Sequence, residues 1–396
     1  MLALIVAVVL FLNRSADGER TPSPVVPARG VPADQLKAED IVDADKSLAG
    51  GGDPGKMSQY LVAVLHSDTA TVPKRSIGKG VPSVLQIGIS ADGKTLTSLD
   101  GRDVAVWDLS TGKELSRFSE LLPKNLPAEF AVDLNTTGNL LAWNDGNDNV
   151  AFFDLANPKK GTILMPNPTK GTIKALGFSP DSDLFWMVQH LNKSSIRLFK
   201  TQTKQSFSSA GPSVSAEAID VSPDNKTLIS ASSKGRVILY PLPFVKVKGV
   251  KPRTLSVDGT CTFLKFAPDA RELVTVTSPG YHFTLWDLPN DKEIHQFGGH
   301  SRRIRTVAFN ADGKVIASAG DDNFIKVFDR ITRQELHHIA VGPKGMEIHQ
   351  LLFTPEGTHL AAATNLGHVF IFRLPLPQAS RPNLEIAKDT KPPEVK

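Results

Sequence analysis

One phrase recurs seven times along this chain: an alternating apolar run, a polar turn, a second apolar run, and a third that closes on an aromatic residue. The closing aromatics are Trp107, Phe153, Phe199, Tyr240, Trp286, Phe328 and Phe372, separated by 41 to 46 residues. The turn between the first two runs recurs as well. It reads Ser90-Ala91-Asp92-Gly93 in the first copy, Ser222-Pro223-Asp224-Asn225 in the fourth and Asn310-Ala311-Asp312-Gly313 in the sixth. Apolar residues at period two, broken by Asp-Gly-type turns, read as strands of an antiparallel meander. One such unit cannot bury both of its faces, so the copies must pack on one another. A period of about 40–45 residues leaves room for four strands in each copy.

The best-specified copy runs from Gly299 to Asp329. Gly299-His300 opens it, Val315-Ile316-Ala317-Ser318-Ala319 forms its second run, and Phe324 to Phe328 its third, closing on Asp329. This copy resembles one blade of the WD-repeat β-propeller family. The resemblance implies a buried hydrogen-bond network within the blade, with His300, Ser318, Asp322 and Phe328 at the matching positions. Phe328 has no N–H to donate, so the expected network is a triad of His300, Ser318 and Asp322. Two copies keep the Trp-Asp pair, Trp107-Asp108 and Trp286-Asp287, and only one opens on Gly-His. The expected fold class is therefore all-β: a seven-bladed β-propeller of four-stranded antiparallel blades, with a disordered N-terminal linker and an apolar N-terminal segment.

Residues 2–12 are uniformly apolar. Eleven residues are fewer than the roughly 20 that cross a bilayer as a helix. They suit the core of an export signal, part of an anchor, or the tail of a longer span beginning before residue 1. Any of these makes the protein membrane-anchored or exported; without such a role the expectation is cytoplasmic. Residues 13–56 carry five prolines and Gly50-Gly51-Gly52 and read as a disordered linker. The propeller is assigned to 57–374 and a flexible tail to 375–396. The seventh copy has three clear runs before Leu374-Pro375, so a fourth strand must come from elsewhere. Residues 72–77, Val-Pro-Lys-Arg-Ser-Ile, precede the first run of the first copy by the right interval and are expected to supply it.

Composition excludes little: 22% charged and 40% hydrophobic residues and a net charge of +4 are ordinary for a globular chain of 396 residues. So small a charge does not argue for nucleic acid. Cys261 is the sole cysteine, which rules out an internal disulfide or a cysteine metal cluster. Gly88 to Thr95 satisfies the phosphate-loop pattern G-x4-G-K-T. That loop works by opening a helix whose N-terminal amides hold phosphate, whereas this stretch should be a turn between antiparallel strands. The histidines lack metal spacing, and no nucleophile elbow is present. The expectation is no enzyme, no metal and no cofactor.

The loops are asymmetric. Turns between the first and second strands share one face and carry Asp92, Asp181, Asp183, Asp224, Asp269, Asp312 and Glu356. Loops that enter a blade, or join its second and third strands, share the other face. They carry Arg102, Lys193, Lys234, Tyr281, Arg302 and Arg303, diluted by Asp100, Asp145, Asp258 and Asp321. Loops are polar in general. The sharper reading is a basic surface that docks an acidic protein or peptide on a monomeric propeller. Two alternatives stand beside this scaffold: the sensor or scaffold half of a larger membrane protein with an upstream enzymatic domain, and a propeller enzyme with a site in its central channel. The latter needs acidic, histidine or metal-ligating side chains to converge on inner strands that read as mostly apolar.

Overall fold

The computed structural model describes residues 31–32, 60–66, 84–123, 130–167, 171–190, 194–210, 218–232, 235–243, 252–342, 346–365 and 367–375. The expectations for residues 2–12, for 72–77, for the tail beyond 375 and for the linker other than Val31–Pro32 lie outside them.

Seven separate sheets account for the strands. Blade 1 comprises Val84–Ile89, Thr95–Asp100, Asp103–Asp108 and Glu114–Phe118; blade 6 comprises Ile304–Phe309, Val315–Gly320, Phe324–Asp329 and Glu335–Ala340. All pairings are antiparallel between consecutive strands. First strands of most neighbouring blades touch, blades 3 and 4 being joined by a shared side-chain cluster, and that of blade 7, Ile348–Phe353, touches that of blade 1, which closes the ring. The second strands are almost wholly buried, Val315–Gly320 completely so, and the third strands largely buried in most blades. Their side chains form clusters that bridge neighbouring blades. One joins Ala175, Leu184 and Trp186 of blade 3 to Ile219, Val221 and Leu228 of blade 4. This is why the copies cannot stand alone: each half-core is finished by the next blade.

The ring closes differently from the sequence expectation. The outer strand of blade 7 is Leu61–His66, paired from Leu61↔Phe372 to His66↔His368, and not 72–77. Leu61, Ala63 and Leu65 are buried and alternate along the strand. Leu65 and Ala63 join the seam with Ile87, Leu96 and Trp107 of blade 1, while Leu61 joins the seam with blade 6. An apolar run with Leu, Ala and Leu at alternate positions fits that seam; a Pro-Lys-Arg segment does not. Within the expected linker, Val31–Pro32 pairs with Ala63 and Val64 as a fifth strand on the same edge.

The phosphate-loop lookalike lies in a hairpin. Gly88 and Ile89 end one strand, Ser90 to Lys94 turn, and Thr95 starts the next. Gly88 serves packing: a Cβ there would lie 2.5 Å from the Gly138 Cα of the neighbouring blade. Lys94→Ala is accordingly expected to leave calorimetric titration with ATP flat, as in the wild type; micromolar binding lost in the variant would reverse this.

Candidate partner-binding face

The loop leading into blade 6 is held from three sides. His300 Nδ1 lies 2.9 Å from Asp322 Oδ2, and His300 Nε2 lies 2.8 Å from Ser318 Oγ. The Ser301 amide donates to Asp322 Oδ2 at 2.9 Å, which ties the loop itself into the network. Further on, the Ile304 amide donates to Gly280 O at 2.7 Å and the Asp321 amide to Arg303 O at 2.9 Å. Burial works to raise the Asp322 carboxyl, but the hydrogen bond and charge of His300 and the amides of Ser301 and Phe324 outweigh it. The group sits below the usual carboxylate range.

Phe328 occupies the place of the missing indole and packs instead on Phe297, ring centroids 5.1 Å apart. The other half of such a network survives elsewhere. Trp107 Nε1 donates to Ser98 Oγ at 2.9 Å in blade 1, and Trp286 Nε1 to Thr275 Oγ1 at 2.9 Å in blade 5.

On this pinned loop Arg302 is exposed and Arg303 half-buried, and among the described residues neither has a hydrogen-bonded or ion-paired partner for its side chain. Tyr281, 49% exposed, follows Gly280, against which Arg303 rests. Gly280 has φ +84, a conformation that favours glycine, and a Cβ there would stand 3.3 Å from Arg303 Cγ, close enough that Arg303 would have to shift. Burial, followed by the nearby Arg305 charge, pushes the Arg303 guanidinium below its ordinary value, against the pull of Asp321 and Glu347. Arg305 is itself neutralised, paired with Asp321 and, at 2.9 Å, with Glu347.

The six residues expected to form the binding face thus separate. Tyr281, Arg302 and Arg303 meet where blade 5 adjoins blade 6. Arg102 stands on blade 1 and is paired with Glu120 at 2.7 Å. Lys193 and Lys234 lie outside the described residues.

The acids of the opposite face are engaged in their own turns. Asp92, Asp181 and Asp224 each accept from a serine hydroxyl two residues earlier, at 2.6–2.7 Å. Each also accepts from the amide two residues later, at 3.0–3.1 Å. Their arrangement is that of turn-forming residues.

Inner strands are more polar than the sequence suggested, and their side chains cap amides on the next blade. Gln350 Oε1 accepts from the Ile87 amide at 2.7 Å, Asp133 Oδ2 from Phe178 at 2.9 Å and Asp220 Oδ2 from Phe266 at 2.9 Å. Gln86 Oε1 accepts from Leu134, and its Nε2 donates to Asp133 Oδ1 at 3.0 Å. An inner strand is a free sheet edge, and these groups satisfy its unpaired N–H groups. Burial pushes the Asp133 carboxyl up to about 7, despite the opposing Phe178 amide and Gln86. Sequence reasoning missed this ring. Its signal was the recurrence of polar residues two or four positions before the first turn: Gln86, Asp133, Asp220, Lys265, Thr306 and Gln350.

The geometry defines the class: a closed seven-bladed β-propeller with four-stranded antiparallel blades. Residues 291–329, which take in the outer strand of blade 5 and the first three strands of blade 6, match the family described as WD domain, G-beta repeat. The chain is 33% identical to autophagy-related protein 18 of Schizosaccharomyces pombe over 91 residues, 23% of this chain and 24% of that one. It is 24% identical to WD repeat-containing protein SL1-17 of Schistosoma mansoni over 208 residues, 52% of this chain and 63% of that one. With Protein groucho of Drosophila melanogaster it shares 26% identity over 161 residues, 40% of this chain and 21% of that one. The matched part is less than two thirds of each relative's length.

Proposed function

We propose that the propeller is a non-catalytic docking platform that binds an acidic protein or peptide on the face carrying Tyr281, Arg302 and Arg303. The observation that carries this reading is the pairing state of the charges. Arg302 and Arg303 keep their guanidinium donors free of ion pairs on a loop pinned by His300 and Asp322, beside an exposed tyrosine. Arg and Tyr on a pre-ordered loop are the residues that anchor interfaces, because little side-chain freedom remains to be lost on binding. In this reading residues 2–12 tether the platform to a membrane or direct its export.

A partner recovered by affinity capture from native extract and then purified serves as the ligand. Reversal of both Arg302 and Arg303 to Glu is expected to weaken its calorimetric affinity at least about tenfold, or 1.4 kcal/mol. Wild-type binding should weaken as salt rises. Reversal of Asp181 and Asp224 should leave the affinity intact; if those variants lose the partner and the arginine variant keeps it, the opposite face is the binding surface.

A further inference from the structure

The outer edges of the blades differ in how they are protected against pairing with another strand. Outer strands expose unpaired N–H and C=O groups, and charges or a covering segment normally keep other strands away. Blade 1 has Glu114 and Arg117 on its edge, blade 5 has Lys292 and Glu293, and blade 6 has Glu335. On blade 4 Arg253 serves, and the edge of blade 7 is covered by Val31–Pro32. Among the described residues blade 2 has neither device, and the edge strand of blade 3, Ser206–Ala210, is likewise uncharged. The edge strand of blade 2, Thr162–Pro166, holds no charge, and Ile163 and Leu164 are 45% and 57% exposed. Met165 alone turns inward, into the seam with blade 3.

We propose that the edge strand of blade 2 takes an extended strand from a partner protein, added antiparallel, with an acidic C-terminal end seated at Lys159 and Lys160. Three observations fix this occupant. The chain already adds a strand antiparallel to an outer edge at blade 7. Ile163 and Leu164, neighbours in a strand, point to opposite faces, so alternating apolar side chains of an added strand would find a contact on both. Lys159 and Lys160 stand exposed in the short 3-10 turn that ends just before Thr162, and among the described residues neither has an ion-pair partner. In antiparallel pairing the C-terminal end of the added strand lies beside Thr162, next to those two cations. This site is separate from the face around Arg302 and Arg303, and the two readings stand or fall independently.

A displayed library of random nine-residue peptides, selected on the immobilised full chain, tests it. Enriched peptides should alternate β-branched or aromatic residues and end in Asp or Glu. A synthetic representative should bind the Leu164→Lys variant about tenfold or more weakly than wild type. It should also lose affinity for the Lys159→Glu, Lys160→Glu double variant, which leaves the strand itself unaltered, and on binding it should slow hydrogen exchange within 162–166. Absence of enrichment, basic or non-alternating winners, or equal binding to both variants would overturn the proposal. So would a concentration-dependent dimer of the wild type that Leu164→Lys abolishes, since that outcome gives the edge to a second copy of the chain.

Discussion

Asp322→Ala is expected to destabilise the protein by about 2–4 kcal/mol, lowering Tm by roughly 3–6 °C. Side chains of His300 and Asp322 are 1% and 3% exposed, so removal of the carboxylate strands a buried imidazole nitrogen and the Ser301 amide together. A surface carboxylate would contribute a fraction of this. The same change should release the loop that carries Arg302 and Arg303, read as faster hydrogen exchange at Ser301. The sign with pH follows from the depressed carboxyl: its stabilisation is present above the unfolded value near 3.9 and is lost as pH falls through the lower folded value. An unchanged Tm together with unchanged exchange at Ser301 would show that the network holds neither the blade nor the loop.

Asp133 should act in the opposite direction. Its carboxyl is raised to about 7 by burial, so the folded protein binds a proton that the unfolded chain has released. The stabilisation is complete below about pH 4 and disappears as pH rises to about 7, a span that can reach about 4 kcal/mol. Asp133→Asn removes the titration. Its amide nitrogen would meet Gln86 Nε2, two donors face to face, which adds a cost that does not change with pH. Urea denaturation should therefore find the wild type further ahead of the variant at pH 4.5 than at pH 7.5. A difference in stability that is the same at both values would place the Asp133 proton elsewhere.

Much of this molecule was legible in its local chemistry. Asp-Gly-type turns and period-two apolar runs are properties of a few adjacent residues, and repeated seven times they specify seven meanders whatever lies around them. The repeat put His300, Ser318 and Asp322 within one copy, and the resemblance to the WD-repeat family implied that they form one network. The absence of an N–H on Phe328 limited the network before any distance was known. The turn acids Asp92, Asp181 and Asp224 belonged to their turns for the same local reason.

What remained was decided between segments distant in sequence. Residues 72–77 stood nearer the first blade than Leu61–His66, and only the shape of the seams beside Phe372 and Val369 selects the more distant apolar strand. Gln86, Asp133 and Asp220 looked like isolated polar residues in apolar runs until closure of the ring set each against an amide roughly 45 residues further on. Arg102 and Arg303 were equivalent as letters. Glu120 neutralises the first, while Arg305 takes up Asp321 and Glu347 beside the second and leaves its guanidinium unpaired. Strand and turn are set by neighbours along the chain. Which edge is capped, which cation stays free and which strand closes the ring depend on competition among distant groups for the same partner, and that competition exists only once the ring has formed.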